Sequence, residues 1–156
     1  MARCLILVCG VLLSLATLPG CSSFPRDFRE ATLKPIPVQS IDGPWEGEWI
    51  STGGHRGRLR CLLALKACDA NMNFGIRPVY EARFEAKFAG IFTAHYTTLL
   101  LIQSTGEVTT LSGDHDLGGL GGGLYHYEAK VTANTFEATY RSEADRGTFH
   151  MVRPVK

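Results

Sequence analysis

From Gly43 to Arg153 the chain alternates apolar and polar residues at a period of two, and this period constrains the fold most. It is cleanest in Tyr80-Glu81-Ala82-Arg83-Phe84-Glu85-Ala86-Lys87-Phe88. Tyr80, Ala82, Phe84, Ala86 and Phe88 fall on one side, and Glu81, Arg83, Glu85 and Lys87 on the other. Only an extended strand separates these two sets, because successive side chains leave a strand on opposite faces. A helix would scatter both sets around its axis. The same pattern recurs in Gly43–Trp49, His55–Leu65, Phe92–Ile102, Val108–Gly113, Leu124–Val131, Thr135–Ser142 and Thr148–Val152. Turn residues punctuate it at Ser51-Thr52-Gly53-Gly54, Ala89-Gly90, Ser104-Thr105-Gly106-Glu107, Ala133-Asn134 and Glu143–Gly147. The long breaks are Lys66–Pro78 and the Gly-rich Asp114–Gly123. Eight short sequential strands predict an all-β, eight-stranded antiparallel up-and-down barrel. A two-sheet sandwich is the alternative. Closure is preferred because it removes exposed strand edges. Neither an amphipathic helix nor an internal repeat is predicted.

The N-terminus has a different character. Arg3 precedes an apolar run from Cys4 to Leu18, interrupted by Gly10, Ser14 and Thr17. At about 15 residues the run suits the core of a signal peptide better than a membrane span. It ends in Leu18-Pro19-Gly20-Cys21, which resembles a bacterial lipobox: Leu at −3, a small residue at −1, then the cysteine that is acylated and becomes the new N-terminus. The alternatives are ordinary secretory cleavage near Gly20 and an uncleaved anchor. All three leave the domain extracytoplasmic. Ser22, rather than Asp, follows the cysteine, which resembles the outer-membrane sorting pattern of double-membrane bacteria. The predicted organisation is a cleaved lipoprotein signal over 1–20, a lipid-anchored, Pro-containing extended tether over 21–41, and a barrel domain over 42–156. Pro25, Pro35 and Pro37 favour extended backbone in the tether, and Phe24 and Phe28 are candidates to touch the barrel or the lipid interface.

Charge and cysteine usage fit this placement. The chain has 16 basic and 15 acidic residues, and Arg3 is the single charge before residue 21. The remainder is therefore balanced, which argues against a nucleic-acid surface that gains from counterion release. Beyond Cys21 only Cys61 and Cys68 remain. Seven extended residues would separate them by ~23 Å, whereas a disulfide requires Cα atoms within about 7 Å. Pairing thus needs a reversal near Leu65–Ala67; otherwise the two are independent small apolar residues.

Two resemblances follow from the ends of the domain. Calycins, the lipocalin-like and avidin-like barrels, open their first strand with Gly-x-Trp and place a cationic side chain from the last strand across that Trp. Gly43-Pro44-Trp45 and Arg153 match those roles. The resemblance implies barrel closure by Trp45 and Arg153, a cation–π contact of ~0.5–2 kcal/mol. A fuller pattern resembles a group of uncharacterised bacterial lipoproteins: Gly43-x-Trp45-x-Gly47-x-Trp49, His55-x-Gly57-x-Leu59-Arg60-Cys61, Tyr80-x-Ala82-x-Phe84, Asp116-Leu117-Gly118, Gly122-Gly123-x-Tyr125-x-Tyr127 and Asp145-x-Gly147-x-Phe149-x-Met151-x-Arg153. It implies a shared fold and supplies no activity.

No catalytic constellation emerges. Gly118–Gly123 lacks the helix and Lys-Ser/Thr that a phosphate loop needs. Asp114-His115-Asp116 alternate faces on a strand, so a metal site there would require His115 and His126 to meet across the Gly-rich hairpin. Glu46 and Glu48 share an outer face at ~6.5–7 Å, without the cleft that paired carboxylates require, and are expected to pair with Arg58 or Arg60. The inward aromatics are more informative. Trp49, Tyr80, Phe84, Tyr96, Tyr125, Tyr127 and Tyr140 either fill the lumen or line a small apolar ligand. Their number favours filling. The chain therefore reads as a non-enzymatic structural or interaction module, partnered with a membrane through its lipid and with neither cofactor nor metal. The alternative is a binder of one small apolar or aromatic molecule.

Overall fold

A computed structural model describes residues 22–66, 78–119 and 122–155. Cys21, the segment before it, and Cys68 lie outside the described residues. Eight strands follow in order: β1 Gly43–Ser51, β2 Arg56–Lys66, β3 Val79–Phe88, β4 Phe92–Ser104, β5 Thr109–Asp116, β6 Leu124–Val131, β7 Thr135–Arg141 and β8 Arg146–Val152. Each pairs antiparallel with the next, and β1 pairs with β8, so the sheet closes as an up-and-down barrel. This architecture is compatible with a calycin-like fold.

The period-two pattern determines which side chains fill the barrel. Trp45, Leu59, Cys61, Ala82, Leu100, Leu111, Val131 and Phe136 are buried in one continuous core. Their strand neighbours Arg58, Glu128, Lys130 and Glu137 point to solvent. β5 extends three residues into the stretch expected to be a Gly-rich connection, because its ladder with β6 continues through His115↔Tyr125 and Asp116↔Leu124. Ladder hydrogen bonds use backbone groups and do not require side-chain alternation. The end of the barrel where β1 begins is here the Trp45 end; the end where β1 finishes is the Trp49 end.

The principal departure from expectation is a helix. Residues expected to form an extended tether include α1, Phe24–Leu33. Pro25 starts it rather than preventing it, since a first-turn proline has no intrahelical N–H bond to lose. At ten residues α1 would be marginal alone. It is held by Phe24 and Phe28, one turn apart, which are buried against the outer face of β2–β4. Their burial contributes about 4 kcal/mol towards docking.

Under those rings lies an ionic cluster on what should be a wet face. Glu85 is only 4% exposed. It accepts from Arg60 Nε at 2.9 Å and from Arg60 Nη2, and His95 Nε2 lies 3.1 Å from its second oxygen. The Arg60 guanidinium sits 4.9 Å from the Phe28 ring centroid. Asp27 anchors the helix from the other side through Arg83 at 3.0 Å. The expected pairing of the first-strand carboxylates is met only by Arg58 with Glu46, at 3.3 Å. Arg60 turns instead to Glu85.

Burial works against charge on Glu85, but hydrogen bonds from Arg60 and His95 outweigh it and hold the carboxyl below its ordinary value. The unfolded chain therefore takes up this proton first as pH falls. The stability it contributes is complete above the ordinary Glu value of about 4.3 and is lost progressively below it. Asp27, lowered by Ser23 and then Arg83, acts in the same direction. Glu85→Gln should accordingly flatten the acid limb of a melting-temperature profile below about pH 4.3; an unaltered limb would mean that Glu85 is not held ionised in the fold.

Candidate functional site

The Trp45 end is sealed. Trp45 is fully buried and donates its indole N–H to Ile41 O at 3.1 Å. Its ring meets Phe136 at 5.8 Å. The Arg153 guanidinium carbon lies 3.7 Å from the Trp45 ring centroid. The same group donates to Ser40 O at 2.6 Å, Asp42 O at 2.8 Å, Ala133 O at 3.0 Å and Pro44 O at 3.3 Å. Arg153 thus covers the indole and also ties the chain entering β1 to the β6–β7 turn. Burial lowers its pKa to about 10, which leaves it charged at neutral pH. The four carbonyl contacts were not legible in the sequence, since backbone acceptors carry no residue signature.

The Trp49 end holds most of the candidate lining residues. Phe84 stacks on Tyr96 at 5.0 Å and meets Phe149 of β8 at 5.8 Å, across the lumen. Tyr127 lies 6.5 Å from Tyr96 and 6.0 Å from Phe149. Tyr125 contacts Tyr127 and Tyr140, and Tyr140 contacts Phe149 at 5.1 Å. Rings from β3, β4, β6, β7 and β8 therefore touch one another inside the barrel. Trp49 sits to one side, 4.9 Å from Phe88, with its N–H donated to Lys87 O at 3.0 Å. Tyr80 does not belong to this group: it pairs with Leu65 and Leu100 towards the Trp45 end. Tyr96 and Tyr125 remain half-buried against this core.

The phenols of Tyr96, Tyr127 and Tyr140 stay protonated. Burial, and then the neighbouring Tyr127, push Tyr96 well up; burial pushes Tyr127 up to about 12. Tyr140 is raised by burial and by Asp145, to which it donates at 3.0 Å. Asp145 also accepts from Ser51 at 2.6 Å and from the Arg146 N–H at 2.8 Å. It links the β1–β2 and β7–β8 turns, and sequence reasoning read it only as a turn residue. Burial raises the Cys61 thiol well above its ordinary range, which keeps it unreactive. Whether Cys61 pairs with Cys68 falls outside the described residues.

The possible meeting of His115 and His126 does not occur. In antiparallel register His115 faces Tyr125 and Asp114 faces His126. His115 stacks on Tyr96 at 5.7 Å, on the lumen side. His126 lies outside, 2.6 Å from Asp114 and 3.4 Å from Glu128. Among the described residues no group of three His, Cys, Asp or Glu side chains is arranged to hold a metal.

A second feature lies on the outer face. β5–β8 form a concavity of about 700 Å³ lined by Thr110, Ser112, Glu128, Lys130, Thr139 and His150, among others. Its walls mix apolar surface, to which Leu111, Ala129 and Ala138 contribute, with polar side chains of both signs of charge. Comparison with protein-family models, curated proteins and solved structures yields no match.

Proposed function

We propose that this chain is an extracytoplasmic lipoprotein, anchored to a bacterial membrane through Cys21, whose β-barrel works as a non-enzymatic structural or interaction module. The observation that carries this reading is the aromatic network across the lumen. Phe84, Tyr96, Tyr127 and Phe149 occupy the space in which a lipocalin-type barrel would hold a ligand. What the barrel presents to a partner is then its outer surface, above all the concavity of β5–β8. The protonated phenols and the buried thiol offer neither a general base nor a nucleophile at neutral pH.

The anchor rests on Leu18-Pro19-Gly20-Cys21 after an apolar run, and the outer membrane is the proposed destination because Ser22 follows the cysteine. Expression of the full chain in a double-membrane bacterium fed labelled palmitate tests this. Label is expected in the wild type, in the outer-membrane fraction, and absent from Cys21→Ser. An unlabelled wild-type protein released with the soluble periplasm would overturn it.

A second reading is favoured by one feature of the mouth. The half-buried Tyr96 and Tyr125, with His115 stacked on Tyr96, offer a shallow aromatic surface on which a flat apolar molecule could lie.

A further inference from the structure

The tip of the β3–β4 hairpin is apolar and largely exposed, with only Phe88 packed in part on Trp49. Phe88, Ile91 and Phe92 are 40%, 78% and 67% exposed. Ala89 and Gly90 both have positive φ, which makes the tight turn that carries Ile91 outward. Phe92 to His95 pair with β3 alone, so the hairpin stands beyond the rest of the sheet. No acidic residue occurs from Lys87 to Ala94. Exposed Arg56 and Arg58 lie on the adjoining strand, with Gly57 packed beneath Lys87 O.

The chain's N-terminal direction indicates what covers this tip. Ser23 is fixed to the barrel by Arg83 Nη2 at 3.1 Å, and Phe24 rests on His95 at 5.9 Å. His95 is three residues from Phe92, about 10 Å along the strand. Cys21 precedes Ser23 by two residues, at most about 7 Å of chain. Because α1 is docked, little slack separates the lipidation site from the barrel. An acyl chain on Cys21 would start on the flank from which the hairpin projects.

We infer that the hairpin tip is a second membrane contact: Phe88, Ile91 and Phe92 enter the headgroup–acyl boundary of the bilayer that holds Cys21, with Lys87 and Arg56 meeting anionic headgroups. Aromatic and aliphatic side chains flanked by basic ones match the chemistry of such an interface. The inference rests on the lipoprotein reading for the side of the barrel that faces the membrane. The consequence is a barrel held against the bilayer by two points, Cys21 and the hairpin, rather than swinging on a tether. The β5–β8 face then keeps a fixed orientation towards its partner.

The test uses the full chain, processed and acylated, in vesicles of phosphatidylethanolamine and phosphatidylglycerol with or without bromine on the acyl chains. Ile91→Trp adds a reporter at the tip. Val108→Trp, at an exposed position by the opposite end, is the control, and the wild-type signal of Trp45 and Trp49 is subtracted from both. Brominated lipid is expected to remove most of the emission added at position 91 and to spare that at 108. An unquenched tip, whether water-exposed or shifted to the blue by contact with protein such as a second copy, overturns the inference. Equal quenching at both positions also overturns it. Palmitate incorporation, read on the same sample, reports on Cys21 separately. If the label is absent, quenching on adding the protein to preformed vesicles still decides whether the tip enters lipid.

Discussion

Replacing Arg153 with alanine should lower the unfolding free energy by about 3 kcal/mol, several times the median for a surface charge. The cation–π contact with Trp45 would account for ~1–2 kcal/mol of the loss. The rest comes from the carbonyls of Ser40, Asp42, Pro44 and Ala133, which lose a charged donor at a partly buried site. Arg153→Lys separates the contributions. Lysine keeps the positive charge but lacks the planar fork that reaches several carbonyls at once, so its loss should fall between wild type and alanine. Chemical denaturation gives both values, and for a domain of this size the alanine variant should melt lower by about 10 °C. Equal stability of wild type and Arg153→Ala would mean that the Trp45 end is closed by other means.

Gly47→Ala should be at least as damaging, for a different reason. Gly47 stands between the two tryptophans of β1, opposite Met151 of β8. A Cβ there would overlap the carbonyl oxygen of His150 and lie 2.8 Å from the Met151 Cα. Both are backbone atoms of a paired strand, so no rotamer change relieves the clash. The β1–β8 seam, which closes the barrel, would have to open. The expected loss is about 3 kcal/mol, at the upper end for overpacking, with Gly47→Val worse. A neutral Gly47→Ala would show that β1 and β8 do not approach as described. Gly47 therefore makes room for the backbone of β8.

These residues show where the sequence was transparent. Strand positions and faces follow from a period of two, which the chain repeats with little noise from Gly43 to Val152. Closure was legible because its two halves, Trp45 and Arg153, are chemically distinctive and sit at the two ends of the domain. Six of the seven candidate lining aromatics gather towards the Trp49 end, since alternation places them all inside. Tyr80 does not, because alternation fixes the face but not the depth along a strand. Helix α1 was opaque for a related reason. Only two of its ten residues, Phe24 and Phe28, are large apolar side chains that become buried, too little to exceed the extended preference that three nearby prolines suggest, and its stability comes from the barrel surface. Glu85 shows the same effect: alternation placed it in water, and a remote segment covers it.

We propose that aromatic side chains fill the lumen and that the barrel acts through its outer face. Titration of the purified protein with a small apolar fluorescent probe, followed through energy transfer from Trp49, tests it most directly. Weak, unsaturable binding is predicted, with Trp49 emission unchanged and no competition by other apolar molecules. Saturable one-to-one binding that quenches Trp49 and weakens on Tyr96→Ala would contradict it, and would place a ligand among the rings at the Trp49 end.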